Sequence, residues 1–269
     1  MVKVYVERIT LDDKISDEFK KLVETVARLR SPEGCPWDRQ QTHESLKRYV
    51  IEETYEVVEA IDKGDSTKLR EELGDLLLQV LLHAQIADES GEFDIADVCR
   101  VLREKLIRRH PHVFADRQVA GVEEVLTNWE QIKREEPGYE DRESVLDGIP
   151  ESLPALMRAT KISKKAARTG FDWPDIHSIF DKLAEETSEL KEAVDSGDKE
   201  KIKAEIGDLL FTVVNISRFA GIDPEEALRD MLGRFLQRFR KIEERARETG
   251  RDLTDMTLEE MDRVWNEAK

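Results

Sequence analysis

The chain has 269 residues, of which 38% are charged and 6% are aromatic, and its formal net charge is −17. This length permits one large domain or two of ordinary size, and the abundance of Glu, Lys, Leu, Ala and Arg favours long amphipathic helices over sheet. The negative charge disfavours a nucleic-acid polymer as a partner, whereas a small anionic substrate is compatible with it if a metal ion offsets the acidic groups.

Cysteine use and hydropathy indicate the compartment. Cys35 and Cys99 are far apart and form no C-x-x-C motif, so they indicate neither a disulfide framework nor a zinc site. Met1–Thr10 lacks the apolar core of a signal peptide, and no apolar run approaches the roughly 18 residues of a membrane span. We therefore expect a cytoplasmic protein without a membrane partner.

The predicted elements are all helices, because apolar residues recur at helical spacing along the chain. In chain order they cover residues 16–30, 44–62, 66–89, 95–108, 122–134, 155–168, 176–196, 199–219, 224–248 and 257–267. Asp223 followed by Pro224 is a typical helix start, and Thr257 with Glu260 forms a capping-box pattern. The expected fold class is all-α.

Two acidic motifs recur 133 residues later in the chain, without an insertion or deletion between them. The first, at Glu52, Glu53 and Glu56, returns at Glu185, Glu186 and Glu189; the second, at Glu72 and Asp75, returns at Glu205 and Asp208. Further landmarks return with small shifts: Lys105 and Arg109 as Arg234 and Arg238, and Trp129 and Lys133 as Trp265 and Lys269. Gene duplication explains this order better than chance.

The two copies are joined by a segment rich in proline and glycine, from Glu135 to Pro154. We therefore predict two tandem helical-bundle repeats, residues 1–140 and 141–269. An apolar stripe in each copy is predicted to face the core. It consists of Leu69, Leu73, Leu76, Leu77 and Val80 in the first copy and Ile206, Leu209, Leu210 and Val213 in the second.

The acidic residues are placed symmetrically about a glycine. In an antiparallel helical hairpin that turns at Gly64, Glu56 comes level with Glu72, and Glu53 with Asp75. A hairpin that turns at Gly197 brings together the equivalent residues Glu186, Glu189, Glu205 and Asp208. Four carboxylates are therefore expected to converge in each copy.

Converging carboxylates are unfavourable unless some bind protons or a cation lies among them. Oxygen ligands favour Mg²⁺, Mn²⁺ or Ca²⁺, and Mg²⁺ also engages phosphates readily. The alternative is a solvated acidic face, which is common on Glu-rich helices. The acidic pattern, however, recurs in the same register in both copies, and this favours a metal site. A di-iron site would require Glu-x-x-His, and no histidine of the chain follows an acid at that spacing.

Several motifs together resemble those of the two-repeat MazG proteins, which are all-α nucleoside triphosphate pyrophosphohydrolases. Besides the acidic pairs, these are Cys35-Pro36-Trp37-Asp38, Glu71-Glu72-Leu73-Gly74-Asp75-Leu76-Leu77 and Arg108-Arg109-His110-Pro111-His112-Val113-Phe114. The resemblance covers nearly the whole chain. It implies hydrolysis of an NTP or dNTP, ATP included, between the α and β phosphates. It also implies Mg²⁺, with Mn²⁺ as a substitute, and a homodimer.

The resemblance also implies roles for individual residues. It assigns the Mg²⁺ ligands to Glu186, Glu189, Glu205 and Asp208, and in the first copy to Glu53, Glu56, Glu72 and Asp75. It places nucleotide contacts at Lys182, Lys201, Lys203, Arg234, Arg238, Trp265 and Lys269. Position 234 is usually lysine in the family, so the arginine here keeps the charge and changes the hydrogen-bond geometry.

The residues themselves suggest catalytic hypotheses. Arg234 and Arg238 share a helix face and could clamp phosphate oxygens, and Glu185 could accept a proton from the attacking water. Trp265 either stacks on the base of the nucleotide or packs the C-terminal helix against the rest of its repeat. Asn215 replaces Leu82 of the first copy and is a candidate for sugar or phosphate recognition. We therefore favour the second copy as the main catalyst.

Two alternatives remain open at this stage. One is a narrower enzyme of the same chemistry, acting on dUTP or phosphoribosyl-ATP. The other is a non-catalytic helical regulatory or interaction module whose acidic clusters are vestigial. The residues identify no protein partner and no base preference.

Overall fold

The computed structural model describes residues 13–136 and 143–269, and within these ranges every regular element is helical. The chain divides into two compact units, Met1–Glu136 and Pro137–Lys269. The predicted boundary near residue 140 and the segment Met1–Thr10 lie outside the described residues. The prediction of an all-α chain is confirmed.

The helices match the predicted ones to within a few residues. The first unit contains α1 (Asp13–Arg30), α2 (Pro36–Gln40), α3 (His43–Asp62), α4 (Ser66–Glu89), α5 (Ile95–Arg109), α6 (Pro111–Phe114) and α7 (Val122–Arg134). The second contains α8 (Ala155–Ala167), α9 (Ile176–Ser196), α10 (Lys199–Phe219), α11 (Pro224–Glu248), a 3₁₀ turn (Leu253–Asp255) and α12 (Leu258–Glu267). The short helices α2 and α6 were not predicted, because one turn is too short to show a period; both begin with proline.

The turn of each long hairpin is built in the same way. Gly64 and Gly197 have φ values of 65° and 69°, a left-handed conformation that glycine adopts without strain. The aspartate that follows each glycine caps the next helix: Asp65 accepts hydrogen bonds from backbone N–H groups at the start of α4, and Asp198 does so for α10. These signals fix where α3–α4 and α9–α10 reverse, and hence which acidic residues come level.

Each unit has its own apolar core. In the first, Val26, Leu46, Leu81 and Leu82 form a buried cluster between α1, α3 and α4. In the second, α8 packs on α10 and α11, and α11 packs on α12. The buried apolar side chains there are Ile179, Ala193, Val214, Ile242, Ala246 and Val264. The cores hold one face of each hairpin helix, and one acidic residue of each hairpin, Glu72 or Glu186, is buried as well.

The predicted core-facing stripe is largely exposed. Leu73 is 50% exposed and Val80 41%, and Ile206, Leu210 and Val213 are 40–49% exposed. For these residues the prediction was wrong. The physical reason is that α4 and α10 are apolar on more than one face, and the core takes the adjacent face, which carries Leu81, Leu82, Ala84 and Ala87 in α4 and Val214 in α10.

No helix in the described ranges is both long and apolar enough to cross a membrane.

Candidate active site

Three carboxylates of the first unit meet across the α3–α4 hairpin. Glu53, Glu56 and Glu72 each place one oxygen within 4.8 Å of the other two. Glu56 and Glu72 lie opposite each other in this set, which is the level pairing expected for a turn at Gly64. Asp75 lies outside this set of three, but its charge acts on Glu53. The hairpin therefore converts an acidic sequence pattern into a cluster.

The crowding of these acids changes their protonation. Burial, followed by the negative charge of Asp75, raises the pKa of Glu53. The adjacent carboxyl group of Glu72 raises the pKa of Glu56. Raised carboxyl pKa values are the expected result of like charges held close together, and a cation among them would favour the charged forms.

The second unit repeats this arrangement across α9–α10. Glu186, Glu205 and Asp208 each place one oxygen within 4.8 Å of the other two. Glu189 lies beside them: desolvation, followed by the negative charges of Glu205 and Glu186, raises its pKa. The four acids predicted for this copy therefore lie in one region, with three of them closest together.

In each cluster a lysine is paired with the most buried acid. The two lysines do not occupy matching positions of the repeat, and neither do the two acids. In the first unit Lys68 Nζ lies 2.5 Å from Glu72 Oε1, and Glu72 is 1% exposed. In the second unit Lys182 Nζ lies 2.8 Å from Glu186 Oε1, and Glu186 is 4% exposed. These carboxylates raise the pKa of both lysines, so the ammonium groups stay charged.

Glu185, the candidate base, is exposed and accepts a hydrogen bond of 2.9 Å from Lys182 Nζ. Lys182 therefore bridges Glu185 and Glu186. The candidate base lies beside the acidic cluster because it precedes Glu186 on α9, and the lysine one turn earlier can reach both.

A cavity of about 390 Å³ adjoins the second cluster. Its wall includes Lys182, Glu186 and Asp208 together with aromatic and other polar residues. These further residues are Phe171, Trp173, Phe211, Ser163, Thr212, Asn215 and the charged pair Asp172 and Arg218. A mainly apolar hollow with a few convergent polar groups is typical of a small-molecule site.

The amide of Asn215 is held in one orientation in this wall. Its Oδ1 accepts a hydrogen bond of 2.7 Å from Ser163 Oγ, and its Nδ2 donates one of 3.0 Å to the backbone oxygen of Phe211. Asn215 is only 5% exposed. The equivalent Leu82 is an apolar core residue, so the polar pair belongs to the second copy alone.

Three of the predicted nucleotide contacts line a second cavity of about 600 Å³, between α11 and the end of α12. These are Arg234, Arg238 and Lys269. The guanidinium of Arg238 lies 5.4 Å from the ring centre of Trp265, and the ring of Trp265 packs 5.0 Å from that of Phe235. This arrangement favours the packing role for Trp265 over an open base-stacking face.

Lys201 and Lys203, also predicted to contact nucleotide, are exposed near the start of α10. They do not line either cavity. Sequence reasoning missed Lys68 and the aromatic wall of Phe171, Trp173 and Phe211. The spacing of Lys68, four residues before Glu72, could have indicated the first; the second depends on a loop that folds back on α10.

The donor set of both clusters fits a hard divalent cation. Every ligand candidate in the two described clusters is a carboxylate oxygen, with neither cysteine nor histidine among them. Oxygen-only sites suit Mg²⁺, Mn²⁺ or Ca²⁺. The fold and the site therefore define an all-helical, metal-binding class of protein in which a carboxylate hairpin occurs twice.

Comparison with known proteins identifies the family. A model described as the MazG nucleotide pyrophosphohydrolase domain matches residues 41–114 and 175–245, which contain the two hairpins. The chain therefore belongs to the MazG family, and the prediction of a pyrophosphohydrolase of this class is confirmed.

Similar proteins occur in several bacteria. The chain is 49% identical over 251 residues to the nucleoside triphosphate pyrophosphohydrolase/pyrophosphatase MazG of Thermotoga maritima, with 93% of this chain and 95% of that protein covered. It is 46% identical over 258 residues to the nucleoside triphosphate pyrophosphohydrolase of Escherichia coli K12, with 94% and 97% covered. Bacillus subtilis YabN is 49% identical across this whole chain, which spans 55% of YabN.

Proposed function

We propose that the protein hydrolyses nucleoside triphosphates and deoxynucleoside triphosphates to the monophosphate and pyrophosphate, with Mg²⁺ as cofactor. The observation that carries this proposal is the meeting of three carboxylates within 4.8 Å across each of two equivalent hairpins. Such a cluster is suited to a cation that binds phosphate oxygens. The names of the Thermotoga maritima and Escherichia coli relatives support the same activity.

The residues proposed to hold the metal in the second copy are Glu186, Glu189, Glu205 and Asp208. In the first copy they are Glu53, Glu56, Glu72 and Asp75. Bound there, Mg²⁺ would neutralise charge that develops on the phosphates; Mn²⁺ is the expected substitute. The protein's own contribution is to hold the carboxylates on two rigid helices whose register is fixed by a capped turn.

The substrate is proposed to bind beside the second cluster. The cavity of about 390 Å³ is roomy enough for a nucleoside, and Phe171, Trp173 and Phe211 offer it apolar and aromatic contacts. Glu185 is proposed to accept a proton from the attacking water, and Lys182 to contact phosphate. Both lie next to Glu186.

Arg234, Arg238 and Lys269 are proposed to supply further positive charge to the phosphates, with Trp265 supporting Arg238. Lys201 and Lys203 are proposed to act at longer range, since both are exposed. Asn215 is proposed to recognise the sugar or a phosphate through the second hydrogen of its amide nitrogen, while Ser163 and Phe211 fix its orientation.

The second copy is proposed to be the main catalyst. Its cluster adjoins a cavity with polar groups at Lys182 and Asn215, whereas Tyr49 and Leu82 occupy the equivalent positions in the first copy. An ammonium group and an amide can hydrogen-bond to a phosphorylated ligand, and the side chain of Leu82 cannot.

The protein is proposed to form a homodimer and to work in the cytoplasm. Exposed apolar residues continue along α9, α10 and α11 of the second unit, including Phe180, Leu210, Leu232, Phe235 and Leu236, which are 43–57% exposed. Large apolar side chains exposed in this number favour a protein interface. A second copy of the chain is the occupant that the family resemblance implies.

The test is pyrophosphate release from the eight common NTPs and dNTPs, with Mg²⁺ and then with chelator. Release that requires Mg²⁺ and leaves the nucleoside monophosphate supports the proposal. Turnover of dUTP or phosphoribosyl-ATP alone would favour the narrower enzyme. Activity that persists in chelator would contradict the metal site, and absence of both turnover and Mg²⁺-dependent thermal stabilisation would favour the non-catalytic module.

A further inference from the structure

The arginine–tryptophan pair of the second unit has a counterpart in the first. Arg109 lies 5.9 Å from the ring centre of Trp129, as Arg238 lies 5.4 Å from that of Trp265. The two pairs are also landmarks of the sequence repeat. In both units the arginine is on the helix after the acidic hairpin, and the tryptophan is on the last helix of the unit.

The two pairs differ in what faces the guanidinium. In the second unit Arg238 borders the cavity of about 600 Å³, whose wall also includes Glu244, Glu248 and Glu267. Within the described residues none of these carboxylates pairs with Arg234 or Arg238. In the first unit a carboxylate fills the corresponding place. Glu136, two residues after the end of α7, folds back onto Arg109.

Glu136 is held by two guanidinium groups at once. Its Oε1 accepts hydrogen bonds from Arg109 Nε at 2.9 Å and from Arg108 Nε and Nη2 at 3.1 and 2.7 Å, and its Oε2 accepts one from Arg109 Nη2. The side chains of Glu136 and Arg109 are only 14% and 16% exposed. The hydrogen bonds from Arg109, and then those from Arg108, lower the pKa of Glu136 to about 2.

The second guanidinium of this clamp is specific to the first unit. With Arg109 aligned to Arg238, Arg108 aligns with Gln237, which has no charge. A pair of arginines binds a carboxylate or a phosphate group through the same bidentate geometry, so the clamp that holds Glu136 has the chemistry of a phosphate site.

We infer that Arg108, Arg109 and Trp129 form a second anion-binding site, with the chemistry to accept phosphate groups, and that Glu136 closes it from within the chain. The assignment of the ligand to a nucleotide phosphate rests on the proposed function, whereas the anion site itself does not. The two repeats then differ in function. The first keeps its acidic cluster, but Glu136 occupies its arginine pair, whereas Arg234 and Arg238 of the second repeat remain available to a phosphate.

The test measures anion binding in the full-length chain after removal of the second clamp by Arg234→Ala and Arg238→Ala. The probe is inorganic tripolyphosphate, titrated by calorimetry in EDTA so that metal at the acidic clusters does not contribute. Glu136→Gln is compared in this background with Glu135→Gln. Glu135 is the exposed neighbour, for which the described residues provide no ion pair, and its change alters the net charge equally.

Glu136→Gln is expected to bind tripolyphosphate at least tenfold more tightly than Glu135→Gln, and adding Arg109→Ala is expected to remove the gain. Equal affinity in the two glutamine variants, or a gain that survives Arg109→Ala, would overturn the inference. If Glu136→Gln loses helix content by circular dichroism, Glu136→Asp takes its place. Its shorter side chain is expected to give a smaller gain, and a folded aspartate variant without any gain would overturn the inference.

The proposed function is tested separately on the unmodified chain. Failure to release pyrophosphate there would contradict the enzymatic proposal and leave the tripolyphosphate result standing. Conversely, normal turnover with no gain in Glu136→Gln would overturn this inference and leave the proposed function standing.

Discussion

Lys182 places its ammonium nitrogen 2.8 Å from the carboxylate of Glu186, the acid that is most buried in the second cluster. A metal ion at this cluster would therefore meet a resident positive charge. Lys182 is on the same helix face as Glu186, four residues earlier, and its ammonium group also reaches the exposed Glu185. The lysine therefore offsets part of the negative charge of the cluster, and its contact with substrate phosphate is part of the proposed function.

This relationship predicts opposite effects of Lys182→Met on metal and on turnover. Mg²⁺ affinity without nucleotide is expected to rise, because the ion pair that competes with the metal for Glu186 is removed. Pyrophosphate release is expected to fall, because a phosphate contact is lost. Calorimetry and steady-state kinetics would measure the two effects. Lys191→Met, an equal charge change on an exposed position of α9, is expected to change neither.

Removing the charge of one proposed metal ligand is expected to abolish most of the catalytic activity without unfolding the protein. Glu189→Gln keeps the shape of an exposed residue of α9, so helix content is expected to be unchanged. The rate is expected to fall about a hundredfold or more, since even residues that only orient metal ligands cost roughly 10–100-fold when mutated.

The matched control is Glu192→Gln, on the same helix and also exposed. Comparison with Glu56→Gln decides between the copies: a large loss in Glu189→Gln with a small loss in Glu56→Gln supports the second copy as the main catalyst. Unchanged turnover in the double variant Glu56→Gln/Glu189→Gln would refute the ligand assignment in both copies.

The fold could be predicted because local signals and helical periodicity agree along the chain. The capping box at Thr257 and Glu260, for example, forms as its sequence pattern indicates. The level pairing of Glu56 with Glu72 followed from the position of Gly64 alone. A turn glycine and a capping aspartate fix the register of a hairpin. The register can therefore be predicted without knowledge of distant contacts.

Features that depend on distant packing could not be predicted. Leu210 and Leu81 lie in equally apolar stretches of sequence, yet Leu210 is 49% exposed and Leu81 is 2% exposed. Periodicity shows that a face is apolar but not whether the same chain covers it. Phe171 and Trp173 reach the cavity from a loop, where no period exists to place them.

The ion pair between Arg251 and Glu260 predicts an acid-dependent loss of stability. Hydrogen bonds from Arg251, followed by one from the backbone N–H of Thr257, lower the pKa of Glu260 to about 2. Because the folded pKa lies below the unfolded value of about 4.5, the contribution is present above pH 4.5 and is lost as pH falls toward 2.

Glu260→Gln is therefore expected to lose less stability than the parent between pH 6 and pH 3. Urea unfolding at the two pH values would measure this. The neighbouring exposed Glu259→Gln provides the control and is expected to behave like the parent. The explanation fails if the difference in unfolding free energy between Glu260→Gln and the parent is the same at both pH values.

The last prediction concerns His43 and His83, whose Nδ1 atoms lie 2.7 Å apart across the first hairpin. Their rings are stacked, with centres 5.0 Å apart. Burial, followed by the charge of His43, lowers the pKa of His83 below its ordinary value near 6.5. The second repeat has Ile176 and Ile216 at the equivalent positions, so the hairpin itself does not require the pair.

For a base, a lowered folded pKa means that the unfolded chain binds protons more readily, so the first unit is expected to lose stability as pH falls below about 6.5. The double variant His43→Ile/His83→Ile is expected to flatten this dependence between pH 7.5 and pH 5.5, because an apolar pair carries no charge at either pH. Thermal unfolding followed by circular dichroism would measure the slope. His177→Asn, which removes an exposed histidine from the second unit, is the control and is expected to keep the parent slope; equal slopes in the double variant and the parent would contradict the assignment.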